Sequence, residues 1–294
     1  MKATNTLSEV LICTFLIVGT VGIGTTVFQS GEKDLQASTV RNLKKVGLAS
    51  TIYSLDNEGL YPMAMSYNTI TRIWRTNTLV RTPAGWSGGP ASLEPRRTEE
   101  SRSWSNVIMP YGTNRTSYQV AGGRALALVP ISAKTAEPAP MGINMNGLAH
   151  TYSDSAVASP SWFPAYWTGH GSNNIVGGAI QTPMLYCPLA DIPCLYKPKQ
   201  RPQGAFGQNG FFFLQCIPLS PKPSSRAHGL YAFYITQDGS VKSWPMGLVS
   251  KPLDTNPSED PFSQYNPGAI CPDSHWMDGY YPWLFRPDYD PLAP

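Results

Sequence analysis

The chain has 294 residues, enough to bury a core in one large domain or two small ones without disulfides. Only 14% of residues are charged, while 28 prolines and 26 glycines mark a loop-rich body in which long helices beyond the N-terminal region are not expected. A net charge of +3 with no basic tract excludes nucleic acid as the main partner, and 41% apolar residues exclude wholesale disorder.

Val10 to Phe28 reads VLICTFLIVGTVGIGTTVF, nineteen residues without a charge, which matches the roughly 20 that a helix needs to cross a bilayer. From Gln29 to Asn57 the pattern stays helical, because Val40, Leu43 and Val46, and then Leu48, Ile52 and Leu55, recur at spacings of three and four among charged residues. One continuous helix of roughly fifty residues is predicted, about 80 Å long. Its first part (residues 1–30) is hydrophobic and its second (31–58) amphipathic. Glu9 stands at the entrance to the apolar run, where a lone carboxylate in lipid costs about 2.5 kcal/mol or more unless it is interfacial or paired. Gly19, Gly22 and Gly24 each weaken a helix by about 1 kcal/mol and permit close helix contact. Gly22-Ile23-Gly24 is not a phosphate loop, since no third glycine and no strand-turn-helix context follow.

Beyond residue 58 the pattern changes to short apolar runs broken by Pro and Gly. A β-rich head is expected over residues 59–250, with strands at Ala125–Ile131, Met184–Cys187, Phe211–Ile217, Leu230–Thr236 and Ser240–Trp244. The last two flank Gln237-Asp238-Gly239, a hairpin signal. Loops at 82–102 and 135–178 carry Trp162, Phe163, Tyr166 and Trp167, which either pack locally or against a neighbour, or stack on sugar rings. Residues 251–294 form a Pro-rich tail whose aromatics place it against its own domain or the next subunit.

Cys13 lies in the apolar run. Cys187, Cys194, Cys216 and Cys271 allow three pairings, and at least one disulfide is expected outside the cytoplasm. His150, His170, His228 and His275 show no metal-ligand spacing. No nucleophile elbow, triad order or carboxylate pair emerges, so no enzymatic activity is expected. Asn114-Arg115-Thr116 fits the N-glycosylation pattern.

Five segments then fall in a telling order. Asn5-Thr6-Leu7-Ser8-Glu9-Val10-Leu11-Ile12 resembles the processing site and helix start of type IV pilins and type II secretion pseudopilins, with Glu9 on the glutamate five residues into their mature chains. Asn42 to Ala49 and Tyr53 to Pro62 are similar to the helix exit and first loop of the large pilin-like proteins with an H-x9-D-G signature, and His228 with Asp238-Gly239 supplies that signature. Trp104 to Tyr111 and Leu185-Tyr186-Cys187-Pro188 resemble that family's intervening landmarks. The order, spread over residues 5 to 244, makes the resemblance specific. Where family members carry Gly or Ala before the cut, this chain has Thr4, followed by Asn5.

The resemblance implies an α+β fold class, with a long N-terminal helix as membrane or filament core and a β-rich, loop-rich globular head. It implies a structural subunit of an extracellular filament, held in the membrane before assembly and built by bundling of N-terminal helices. The partners are copies of itself, inner-membrane assembly machinery and possible processing by a prepilin peptidase at Thr4 and Asn5. Glu9, Gly19, Gly22 and Gly24 are the assembly residues, and Glu9 neutralises a neighbour's N-terminal ammonium. No cofactor is expected, although the family leaves a calcium site open. The alternatives are a minor pseudopilin of a secretion machine and a membrane-anchored polysaccharide-binding surface protein.

Overall fold

The computed structural model describes residues 5–75, 79–185, 187, 194–198, 227–228, 231–245, 281 and 283–292, with side chains from residue 31 onward. No proline occurs before Pro62, and the chain opens as helix α1 (Asn5–Asp56). The helix stops where Glu58 and Gly59 take left-handed backbone angles, φ 57° and 74°, and the Gly59 N–H returns to the Ser54 carbonyl at 2.9 Å. That is the Schellman arrangement, which satisfies a terminal carbonyl.

After α1 the prolines and glycines cut the chain into short pieces. Two-residue strands β1 (Tyr67–Asn68) and β2 (Ile73–Trp74) form a hairpin, and β3 (Val80–Arg81) follows. Helices α2 (Arg96–Ser101) and α3 (Trp104–Val107) are short. Then come β4 (Arg124–Leu126), β5 (Pro140–Met141), β6 (Asn144–Met145), β7 (Pro164–Trp167), β8 (Asn173–Val176), β9 (Gly178–Ala179), β10 (Tyr231–Thr236) and β11 (Val241–Pro245). The main sheet runs β11-β10-β7-β6, all antiparallel; β4-β8-β5 is a mixed sheet, and β3-β9 a two-stranded one.

The expected α+β class is therefore corrected. Among the described residues α1 is the one helix of seven or more residues, with side chains placed over residues 31–56, and α2 and α3 span six and four. A long N-terminal helix exists, and the rest is β-rich. From residue 31 onward, where side chains are described, no helix is long and apolar enough to cross a membrane, and the apolar run Val10 to Phe28 lies outside that range. Two strand expectations also change: only 125–126 of the expected 125–131 strand is strand, within β4, and Met184 and Leu185 are irregular, while 211–217 lies outside the described residues.

Both faces of the main sheet are buried. Phe233 and Ile235 of β10 and Tyr166 of β7 point into a core with Leu43, Val46 and Ala49 of α1. The alternate residues Ala232, Tyr234 and Trp167 point into a second core with Leu148, Tyr281, Leu284 and Phe285. Period-2 alternation thus serves two apolar layers, with α1 on one side and Tyr281, Leu284 and Phe285 on the other. The described tail is tied down there: Asn146 Nδ2 donates to the Phe285 carbonyl at 2.9 Å, and Ala158 N–H to that of Pro287 at 2.8 Å. Phe163, Tyr166 and Trp167, nominated above as loop aromatics, are core residues; Trp162 alone of the four keeps partial exposure.

The periodic apolar residues of α1 divide between two faces. Leu43 and Val46 are fully buried, whereas Leu48 is 62% and Leu55 75% exposed. At about 100° per residue, Leu48 lies about 140° and Ile52 about 180° from Leu43, so a spacing of three and four fits both faces equally. On the inward side Gly47 permits the close approach, because a Cβ there would run into the Ile235 side chain.

A second close approach generates a prediction. Trp86 Nε1 donates to the Gly177 carbonyl at 2.7 Å, Gly177 has φ 61°, and a Cβ there would meet the Trp86 ring. Gly177→Ala should destabilise the fold by about 2 kcal/mol or more through left-handed strain plus displacement of the indole. Urea unfolding checks this, and an unchanged midpoint contradicts it.

Candidate functional site

The H-x9-D-G signature resolves into two physical jobs. His228 is buried between α1 and β10, where it bonds to helix residues. The Ala121 N–H donates to Thr39 Oγ1 at 3.0 Å, and Thr39 Oγ1 lies 2.8 Å from His228 Nε2. His228 Nδ1 stands 3.2 Å from Glu32 Oε1. Because the Glu32 carboxylate can only accept, Nδ1 carries the ring proton and donates to it, which leaves Nε2 of the neutral ring to accept from the Thr39 hydroxyl. Burial pulls the His228 pKa down against the opposing attraction of Glu32. The ring also meets Phe233 edge-on, centroids 5.7 Å apart.

Asp238 and Gly239 turn the hairpin. Gly239 has φ 81°, and Asp238 Oδ1 accepts from Ser240 N–H at 3.0 Å and Thr236 Oγ1 at 2.6 Å. Burial raises the Asp238 pKa, but the bonds from Thr236 and Ser240 and the charge of Lys242 outweigh it and hold the carboxyl below its ordinary value.

Between this turn and the last turns of α1 lies a cleft of about 510 Å³. Its walls include Ser50 and Ser54 of α1, Tyr61, Asp154, Tyr166 and Gln237. Tyr166 O–H donates to Ser50 Oγ at 2.8 Å, Ser54 O–H to Asp154 Oδ2 at 2.8 Å, and Gln237 Nε2 to the Asp154 carbonyl at 2.6 Å. Desolvation raises the pKa of Tyr61, and that of Tyr166 to a similar effect, so both phenols stay protonated. The serines are engaged by a phenol and a carboxylate, and these bonds join helix, loop and hairpin. Gln237 Oε1 is buried with no partner among the described residues.

The remaining nominated residues are distributed as follows. α1 begins at Asn5; the side chains of Glu9, Gly19, Gly22 and Gly24, and Thr4, Cys216 and Cys271 altogether, lie outside the described residues. Cys187 and Cys194 are joined as a disulfide. Among the described residues no group of three or more His, Cys, Asp or Glu could hold a metal. Of the late acidic residues, Asp288 is engaged by Arg286 at 2.7 Å and the Tyr196 hydroxyl at 2.8 Å. Thr39, Glu32 and Asp154 were not singled out from sequence, and Gln237 was read only as part of the hairpin turn. Thr39 had a signal: it sits four residues before Leu43 and seven before Val46, a hydroxyl on the inward apolar face.

Comparison with protein-family models, characterised proteins and solved structures finds no match to this chain.

Two further histidines set an acid response. His150 and His170 are fully buried and burial lowers each pKa to about 3. The unfolded chain binds these protons below pH about 6.5 while the folded chain does not, so their contribution to stability is present above that value and is lost as pH falls toward 3. Each histidine contributes a slope of about 1.4 kcal/mol per pH unit within that window. The urea midpoint should fall steadily from pH 6.5 to 5, before most carboxylates titrate; a flat midpoint there contradicts the burial of neutral imidazoles.

Proposed function

We propose that this chain is a structural subunit of an extracellular pilin-like filament, held in a membrane by its apolar N-terminal run until assembly machinery extracts it. The observation that carries the reading is the outward face of α1. Leu48, Ile52 and Leu55 form a stripe at spacings of four and three, exposed along a helix whose opposite face is fully committed to the core. That stripe lies on the same helix as the uncharged run Val10 to Phe28. A soluble monomer gains nothing from either, whereas a bundle of parallel copies covers both. Each Leu or Ile fully covered returns about 1.5–3 kcal/mol. Glu9 then pairs with a neighbour's terminal ammonium, which removes the cost of an isolated carboxylate. The glycines at 19, 22 and 24 let the helices approach closely.

The test is electron microscopy of cells that express the full chain, labelled for its head. The unaltered chain should form fibres, and Leu48→Glu with Leu55→Glu should abolish them while the head keeps its tryptophan fluorescence and circular dichroism. Absence of fibres from the unaltered chain, or fibres that survive the double substitution, contradicts the proposal.

A further inference from the structure

A second concavity lies apart from α1, on the β1-β2 hairpin. Tyr67 and Trp74 are cross-strand partners, ring centroids 5.0 Å apart and tilted by 60°. With Met63 they form the apolar wall of a cavity of about 200 Å³, which Thr69, Glu99 and Arg102 complete. Trp74 is fixed from behind by an edge-on contact with His150 at 4.8 Å, and His150 is fixed by the Ala64 N–H, which donates to its Nδ1 at 2.9 Å. The rings are therefore held in place before any ligand arrives, the condition that lowers the cost of binding. The volume is below the ordinary range for extended ligands and suits one ring.

An aromatic pair beside a carboxylate suggests a cation, but the charges decide against it. Glu99 is already saturated: Oε1 accepts from Thr69 N–H at 3.0 Å and Thr69 Oγ1 at 3.3 Å, and Oε2 faces Arg75 at 3.3 Å and Arg96 at 3.6 Å. Glu100 is held by Arg81 at 2.9 Å and Arg96 at 2.8 Å. Three guanidinium groups thus face two carboxylates. Arg102 is exposed at the cavity and has no acidic partner among the described residues. Counted in space, four arginines (Arg75, Arg81, Arg96 and Arg102) stand at or behind the cavity against two glutamates (Glu99 and Glu100), a local excess of two positive charges. The site therefore repels cations and attracts an anion.

We propose that the Tyr67–Trp74 cavity binds one hexuronate unit of an acidic polysaccharide. The sugar's C–H face, weakly positive, lies on the electron-rich ring faces, and its carboxylate meets the guanidinium of Arg102, whose planar fork matches a carboxylate. This site differs from the aromatic loop residues nominated from sequence, three of which are buried, and it does not depend on whether the chain assembles.

Isothermal titration of the full chain with tetragalacturonate, neutral galactotetraose and benzoate tests the proposal. Tetragalacturonate should bind at least about tenfold more tightly than the neutral oligomer, and added salt should narrow the gap. Arg102→Ala should remove that acid preference while binding of the neutral oligomer stays unchanged; Arg102→Lys should restore part of it. Trp74→Ala should weaken both oligomers, and Tyr67→Ala serves the same purpose if the first variant does not fold. Equal affinity for acidic and neutral oligomers, an acid preference that survives Arg102→Ala, benzoate binding as tightly as the uronate, or no binding of tetragalacturonate by the unaltered chain overturns it.

Discussion

The contact between the inward face of α1 and strand β10 is the constraint on which the other elements depend. Gly47 removes the side chain at the point of closest approach, and Ile235 occupies the space it leaves. Leu43, Val46 and Ala49 extend the contact along the helix, and Thr39 with His228 adds a directional bond at its lower end. Hydrophobic burial alone would tolerate a helix sliding along a flat sheet, whereas a buried hydroxyl-imidazole bond specifies one register. His228 acts as a peg for the helix, and the Asp238-Gly239 turn ten residues later closes the hairpin beside it.

Fixing the helix on one sheet face leaves the other face to be covered from elsewhere in sequence, and Tyr281, Leu284 and Phe285 help to cover it. The consequence is a sheet with aromatic residues on both sides. Trp104 and Tyr166 lie on the helix side, and Trp167, Tyr234 and Phe285 on the other, with Trp167 and Tyr234 stacked at 5.4 Å. Such large side chains fill space among strands too short to do so themselves. The low proportion of charge follows from the same design, since buried Glu99 and Glu100 are tolerated only inside a cage of three arginines. What stays exposed and apolar on α1 is Leu48 at the edge of the cleft, with Ile52 and Leu55 beyond it, and this stripe carries the assembly proposal.

Much of this architecture was legible at the level of local signals. The proline-free stretch marked the helix and its end near residue 57, and Asp238-Gly239 between two apolar runs marked the β10-β11 hairpin. The α+β class was not legible, because one conspicuous helix weighed on the whole while the other α-helices among the described residues span six residues or fewer. Two-residue strands leave no alternation to read, so β1, β3, β5 and β9 had no signature. The division of the α1 stripe between inward and outward faces was hidden because both share the helical period. At the sites, His228 was visible but its partners were not, since Thr39 lies 189 residues away in sequence. The Tyr67–Trp74 cavity was equally silent: its charge balance depends on which glutamates are caged, and that is a property of three-dimensional pairing.

The most direct test of the central claim, that α1 keeps one face for its own body and the other for copies of itself, is thiol labelling resolved by mass spectrometry. Leu48→Cys and Ile52→Cys chains, with Ala49→Cys as the inward control, are exposed to maleimide as dispersed subunits and again after assembly. The account predicts that positions 48 and 52 react rapidly when dispersed and become protected on assembly, while position 49 is protected throughout. Equal labelling of 48 and 52 in both states, or ready labelling of 49 in the dispersed subunit, would contradict it.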